Sequence, residues 1–274
     1  MSPVRTAGEV LEAIQKIKAG ATAFCTNFFP VQSKLDSWIA HEELTMEERD
    51  GVTFFLRKDR DFAHLYFSAA NPPALGRELR QLSAKAIHKI ATDIVGPEAS
   101  LAELLNLAEQ VGFRCYSRLV RLARIASAVE PPSVPQPAAI NVAAEGDASE
   151  ILRLIEASFD RFADQLPTLY EIVAAIAARQ IVIIKQNDQI AALLFFETQG
   201  LTSTIRYWLV AEQFHSRGFG STLIRQYFAT QPAVRRFILW VTATNENAIQ
   251  KYQHYGYAPD GLVDHVLVCE PVTS

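Results

Sequence analysis

Between Tyr207 and Leu223 the chain reads YWLVAEQFHSRGFGSTL, and this stretch holds the residues best suited to grip an anion. Tyr207-Trp208-Leu209-Val210 suits a buried strand, because aromatic, aliphatic and β-branched residues fill a pleated surface well. After the polar break Ala211–Arg217 comes Gly218-Phe219-Gly220, and from Ser221 the apolar residues Leu223, Ile224, Tyr227 and Phe228 fall at helical spacing. A strand entering a helix through glycines aims several backbone N–H groups at one spot. The helix dipole adds positive partial charge there, which suits a phosphate or pyrophosphate. Gly218 and Gly220 let such a group approach the main chain, and Arg217 can add a charge-assisted bond at the rim. By itself G-x-G is a weak signal. No G-K-[S/T] follows, and the third glycine of the dinucleotide fingerprint is missing.

A strand-like run, Phe237 to Thr242, follows the helix, and then Asn245-Glu246-Asn247-Ala248-Ile249-Gln250-Lys251-Tyr252-Gln253-His254-Tyr255-Gly256-Tyr257. With these segments the chain resembles the GNAT superfamily of acyl-CoA-dependent N-acyltransferases. That family's pyrophosphate loop reads Q/R-x-x-G-x-G/A, against His215-Ser216-Arg217-Gly218-Phe219-Gly220 here. Its later segment reads N-x-x-A-x-x-x-Y-x-x-x-G-F/Y, matched by Asn245, Ala248, Tyr252, Gly256 and Tyr257. His215 departs from the Gln or Arg of the pattern, which bears on a side-chain contact more than on a loop working through main-chain N–H groups. The likeness runs from Ile140 to the end, about half the chain.

The resemblance implies transfer of an acetyl group from acetyl-CoA to an amine. It places the cofactor on Leu209, Val210, His215, Ser216, Arg217, Gly218, Phe219, Gly220, Ser221 and Asn245. Leu209 and Val210 would serve through their peptide groups, whatever their side chains. Asn245 is either a contact to the cofactor arm or simply a helix cap. The chemistry needs a neutral amine, N–H donors for the thioester oxygen and an acid for the leaving thiolate. Tyr252 is the candidate acid, since a phenol of pKa about 10 is close to a thiol; the alternative is a packing tyrosine. Glu197, at a strand end, is the candidate base, against an ordinary solvated carboxylate. His254 lies two positions from Tyr252 and so on another helix face. Arg206 and Tyr207 alternate along their strand and either one would line the cleft. The loop Phe159-Asp160-Arg161-Phe162-Ala163-Asp164 is aromatic and acidic, a character suited to a cationic amine and equally to solvent. A small-molecule or peptide amine is the expected partner. A non-catalytic acyl-CoA-binding module, and transfer of a longer acyl chain, are the alternative readings.

The elements around these residues suggest two units. With 274 residues, 49% of them hydrophobic, the chain can build two cores. A net charge of −4 gives no basic footprint for nucleic acid or an anionic membrane. Cys25, Cys115 and Cys269 lack metal-ligand spacing and read as reduced thiols. The N-terminus reads as an amphipathic helix and no stretch is apolar enough to span a bilayer, so a cytoplasmic location and no bound metal are expected. Pro131, Pro132, Pro135 and Pro137 make a stiff linker at 131–138, dividing a domain at 1–130 from one at 139–274.

Each half should be α/β, a central mixed but mostly antiparallel sheet flanked by helices. In the second half Ala139–Ala143, Ile181–Lys185, Ile190–Glu197, Ser203–Val210, Phe237–Thr242 and Asp264–Cys269 read as strands. Helices are expected over Ala148–Ser158, with Asp147 as cap, and over Leu169–Arg179 and Glu246–Tyr255. The first half echoes this order: a hairpin of Gly51–Arg57 and Phe62–Ser68, a helix Pro73–Ser83, a strand Ala86–Ile94, a helix Leu101–Val111 and a strand Cys115–Arg124. That is the signature of an internal duplication, a tandem GNAT-like fold. Its phosphate-loop position reads Ala69-Ala70-Asn71-Pro72-Pro73, where two prolines delete two donors, and Ala108 stands in the place of the tyrosine. The first copy is therefore expected not to bind the cofactor.

Overall fold

The computed structural model describes residues 1–126 and 139–271. These form two compact units, one of residues 1–119 with 261–274 and one of residues 120–260. The proline-rich stretch lies outside the described residues, and the units divide elsewhere than at 131–138. The reason is strand pairing: Leu262 to Cys269 run antiparallel to Pro97 through Ile90, so the last strand, Ala258–Cys269, ends in the first unit.

In that first unit the hairpin is Val52–Asp59 with Phe62–Ala69, paired in unbroken antiparallel register. Leu44–Arg49 adds to its outer side. A helix, Pro72–Ser83, crosses over to a parallel strand, Lys89–Pro97. Ala7–Ala19 is the amphipathic helix expected from the sequence, with Val10, Ala13 and Ile17 buried and Thr6 capping Glu9 N–H. The helix Gln32–Ala40 is shorter and buries Leu35 and Trp38.

The second unit follows the same order. Helices Ala148–Ser158 and Leu169–Ala177 precede the strands Ile181–Gln186, Gln189–Gln199 and Thr202–Val210. Then come the helix Phe219–Ala229, the strand Arg236–Thr242 and the helix Glu246–His254. The first hairpin turns through Asn187 and Asp188, both left-handed at φ 50° and 62°, residues that tolerate that region. Asp147 does not cap the next helix with its side chain; its carboxylate accepts from Ala144 N at 2.9 Å and pairs with Lys185 at 2.6 Å. The first strand shrinks to Asn141–Val142. Ile183, Leu193, Leu194, Leu223 and Ile224 are among the residues sealed in this unit's core.

Two features of the strand Thr202–Val210 set up the site. Its parallel ladder with the next strand covers only Thr202–Ile205 against Arg236–Leu239, although both strands continue. On its other side the register slips between Phe195↔Tyr207 and Phe196↔Ile205, leaving Arg206 as an extra residue, a β-bulge. The bulge switches faces. Before it, the Ser203 hydroxyl accepts from Tyr227 on the helix Phe219–Ala229. After it, Tyr207 stacks edge-on against Phe159, while Trp208 and Val210 turn to that same helix at Gly220.

Candidate active site

The expected turn into the helix is built as the sequence suggests, but each glycine has its own reason. Ser216 and Gly218 are both left-handed, at φ 63° and 77°, and a Cβ on Gly218 would meet open space. A Cβ on Gly220 would lie 3.3 Å from Val210 and 3.4 Å from Trp208. Gly220 thus serves close helix–strand packing, and Gly218 the left-handed turn beside the helix start. No side chain caps this helix; its first internal bond runs from Thr222 N to Gly218 O at 3.0 Å. The N–H groups of Phe219, Gly220 and Ser221 therefore stand ahead of the ladder, facing out of the helix.

The strand adds donors on the same side. Ala211 N bonds Ala191 O at 2.9 Å, so Ala211, Leu209 and Tyr207 direct their peptide groups at the antiparallel neighbour. Leu209 is thereby corrected as a cofactor contact: its groups are turned to Leu193, and its side chain is core. Trp208 and Val210 face the open side, where the parallel ladder has ended. Trp208 also has a buried indole N–H with no partner among the described residues. A row of N–H groups at a helix start, unpaired among the described residues and set beside strand peptides with no described neighbour, fits a ligand with a pyrophosphate and an amide-bearing arm.

The remaining predicted contacts fall into place unevenly. His215 Nε2 donates to Val210 O at 2.8 Å, tying the loop to the strand end and using one lone pair of that carbonyl. Arg217 is exposed and lies over the Phe214 ring at 5.3 Å. Phe219 is buried beside Phe214, so only its main chain is available. The Ser221 hydroxyl accepts from Tyr255 at 2.7 Å. Asn245 behaves as a cap, accepting from Ala248 N at 3.1 Å.

Tyr252 comes in from the helix Glu246–His254 with its ring 5.5 Å from that of Trp208 and 5.9 Å from that of Tyr257. Burial, and after it the negative charge of Asp164, push its phenol above the ordinary value. Glu197 lies 3.9 Å from the Arg206 guanidinium, further back along the sheet where it faces Thr204 across the ladder. Tyr207 is a core residue, and its hydroxyl donates to Asp164 O at 3.0 Å and Gln165 O at 2.8 Å. Burial, offset in part by Arg206, pushes that phenol up to about 12. The residues sequence reading undervalued are Trp208, whose side chain went unremarked, and Asp164, one of two acidic residues in a loop. The Asp-x-x-x-Asp spacing was the available signal for the second. Among the described residues no group of three or more His, Cys, Asp or Glu side chains is placed to hold a metal ion. No helix there is long and apolar enough to cross a membrane.

Residues 149–257 match the model of the acetyltransferase (GNAT) family. This segment is a GNAT-family domain. The matched segment is accordingly of the acyl-CoA-dependent N-acyltransferase kind. A tandem GNAT protein from the clavulanic acid biosynthesis pathway, solved without AcCoA, is 12% identical, with 100% of this chain and 98% of that one covered at a TM-score of 0.65. A GCN5-related N-acetyltransferase from Sphaerobacter thermophilus is 15% identical, with 82% and 79% covered and a TM-score of 0.60. Another, from Kribbella flavida, is 14% identical, with 90% and 98% covered and a TM-score of 0.54. At such identities the likeness speaks to the fold, which is a tandem GNAT fold over the whole chain. Among curated proteins none matches this sequence.

Proposed function

We propose that the second unit transfers an acetyl group from acetyl-CoA to a primary amine of a small molecule or peptide. The observation that carries this reading is the uncapped helix start at Gly218–Ser221, set beside the open peptide groups of Trp208 and Val210 and within ring contact of Tyr252. In it, the N–H groups of Phe219, Gly220 and Ser221 hold the pyrophosphate, and Trp208 and Val210 bind the arm through their main chain. The bound thioester supplies an activated acyl carbon. Tyr252 supplies the proton for the departing sulfur; its raised phenol keeps that proton until thiolate develops nearby. Glu197 is the weaker candidate for the base, since Arg206 already engages it.

The experiment is a thermal melt with acetyl-CoA, followed by thiol release against an amine panel for wild type and Tyr252→Phe. A ligand at a hundred times its Kd stabilises by about 2.7 kcal/mol, or several degrees for a domain of this size. Tyr252→Phe should keep that shift and lose roughly 10²-fold or more in kcat. Unchanged turnover would remove Tyr252 as the acid. A wild-type shift without turnover on any amine would favour the acyl-CoA-binding module instead.

A further inference from the structure

We propose that Asp164 is the group that receives the acceptor: its carboxylate pairs with the protonated amine, passes that ammonium's first proton to solvent, and takes a second proton from nitrogen as the new C–N bond forms. The inference rests on the acyltransfer reading above and adds the acceptor side to it.

Asp164 sits in a loop that folds back on itself with little freedom. Asp160 Oδ1 accepts from Phe162 N and Ala163 N, both at 2.9 Å, and Asp164 N bonds Asp160 O at 3.0 Å. In return Asp164 Oδ2 accepts from Asp160 N at 2.8 Å. The bifurcated bond from Tyr207 pins the peptides of Asp164 and of the left-handed Gln165, φ 45°, to the strand that carries Trp208 and Val210. Oδ1 has no hydrogen bond within the described chain and is not sealed from solvent. A carboxylate so fixed, with one oxygen open, is built to meet a donor.

The charges around it call for a cation. From its own loop come Asp160 and Arg161, the latter over the Phe162 ring; from the strand, Arg206 and Tyr207; from the helix Leu169–Ala177, Glu171; from the helix Glu246–His254, Tyr252. Of these charges Asp160 and Arg206 act on Asp164 itself, and Arg206 is already shared with Glu197 and Glu171. Burial raises the Asp164 carboxyl, and the charge of Asp160 adds to it, against the Asp160 N–H bond and Arg206.

The charge of Asp164 also reaches Tyr252, second to burial in raising its phenol. While Asp164 is ionised, its charge helps hold the proton on Tyr252. Once Asp164 has taken the amine proton, that restraint is gone, at the moment the phenol must release its own to sulfur. The books balance: the ammonium first loses one proton to solvent by way of Asp164, and the neutral amine then attacks; C–N forms, C–S breaks, one proton moves from nitrogen to Asp164 and one from Tyr252 to sulfur. Passage of the Asp164 proton to the Tyr252 phenolate through solvent restores the start.

The test is Asp164→Asn, which retains an acceptor for Asp160 N. Its kcat/KM should fall roughly 10²-fold or more, the acid limb of the pH profile should disappear, and acetyl-CoA affinity should stay. Two readouts need no turnover. Ultraviolet titration, with Tyr252→Phe as the difference reference, should find the Tyr252 phenol at lower pH in Asp164→Asn. A carboxyl raised in the fold stabilises most at low pH and loses that contribution as pH rises through its folded value. Asp164→Asn should therefore melt higher than wild type at pH 7 and not at pH 4. Tyr207→Phe, as a positioning change, should displace the acid limb, whereas the core variant Phe195→Leu should not. An unchanged pH profile and phenol titration in Asp164→Asn would overturn the proposal while leaving acyl transfer intact. Failure of wild type to bind acetyl-CoA would overturn the acyltransfer reading, with the titration still judging the Asp164–Tyr252 pair.

Discussion

The two units build the same slot and fill it differently. In the first, the parallel ladder Phe62–His64 against Lys89–Ala91 also stops early, but the chain itself plugs the gap beyond it. Cys25 and Thr26 pair with Ala69 and Ser68, and the Asn27 side chain donates to Leu65 O at 3.2 Å, Thr92 Oγ1 at 3.0 Å and Asp93 O at 2.9 Å while accepting from Phe67 N at 2.7 Å. The helix start is closed as well: Pro72 and Pro73 have no N–H, and Ala74 N is taken by Asn71 Oδ1 at 2.9 Å. In the second unit the ladder ends beside a bulge, no described segment enters the gap, and Gly218 leaves the helix uncapped. The lesson is that a strand splay and a helix terminus make a ligand site only when their peptide groups are left unspent.

The largest effect on this contrast should come from Gly218→Glu. It puts a carboxylate and a strained left-handed residue at the helix start, and should abolish the acetyl-CoA melting shift; calorimetric titration of wild type should then give one site per chain. A second site, or a shift surviving in Gly218→Glu, would mean that the first unit's slot opens to the ligand. Next is Asn27→Ala, which removes four side-chain hydrogen bonds at once. It should cost about 3 kcal/mol of stability by denaturant melt and leave acetyl-CoA affinity unchanged. Gly220→Ala should cost roughly 1–2 kcal/mol by crowding Val210 and Trp208, with a modest loss of affinity as the helix start shifts. His215→Ala, removing one exposed hydrogen bond to Val210 O, should cost less than about 1 kcal/mol and weaken binding only a few-fold.

Much of this contrast could be read from residues, because it is written in backbone chemistry. Prolines at 72 and 73 delete donors wherever they stand, and glycines at 218 and 220 were visible as a turn into a helix. Much of the element order of both halves followed from periodicity and turn residues, but the helix Gln32–Ala40 and the strand Leu44–Arg49 did not. What escaped was set by partners distant in sequence. The plug Cys25–Asn27 looks like ordinary loop until Phe67 and Asp93 are folded around it. The Arg206 bulge exists only relative to Phe195 and Phe196, and it decides that Trp208, not Leu209, faces the open side. Arg206 and Tyr207 stood as equal cleft candidates because strict alternation was assumed. The unit boundary escaped for the same reason, since the proline run is conspicuous in sequence while the pairing of Leu262–Cys269 with Ile90–Pro97 is not.

That pairing has a consequence for how the protein is made. The first unit is discontinuous: it lacks a strand until residues 262–269 exist, after the whole of 120–260 has been synthesised. At about 5–20 residues per second, the ribosome takes on the order of ten to thirty seconds to cover that interval. The nascent amino-terminal half must wait through it with the strand Lys89–Pro97 open along one edge. The later-made, contiguous unit can close before the earlier one does.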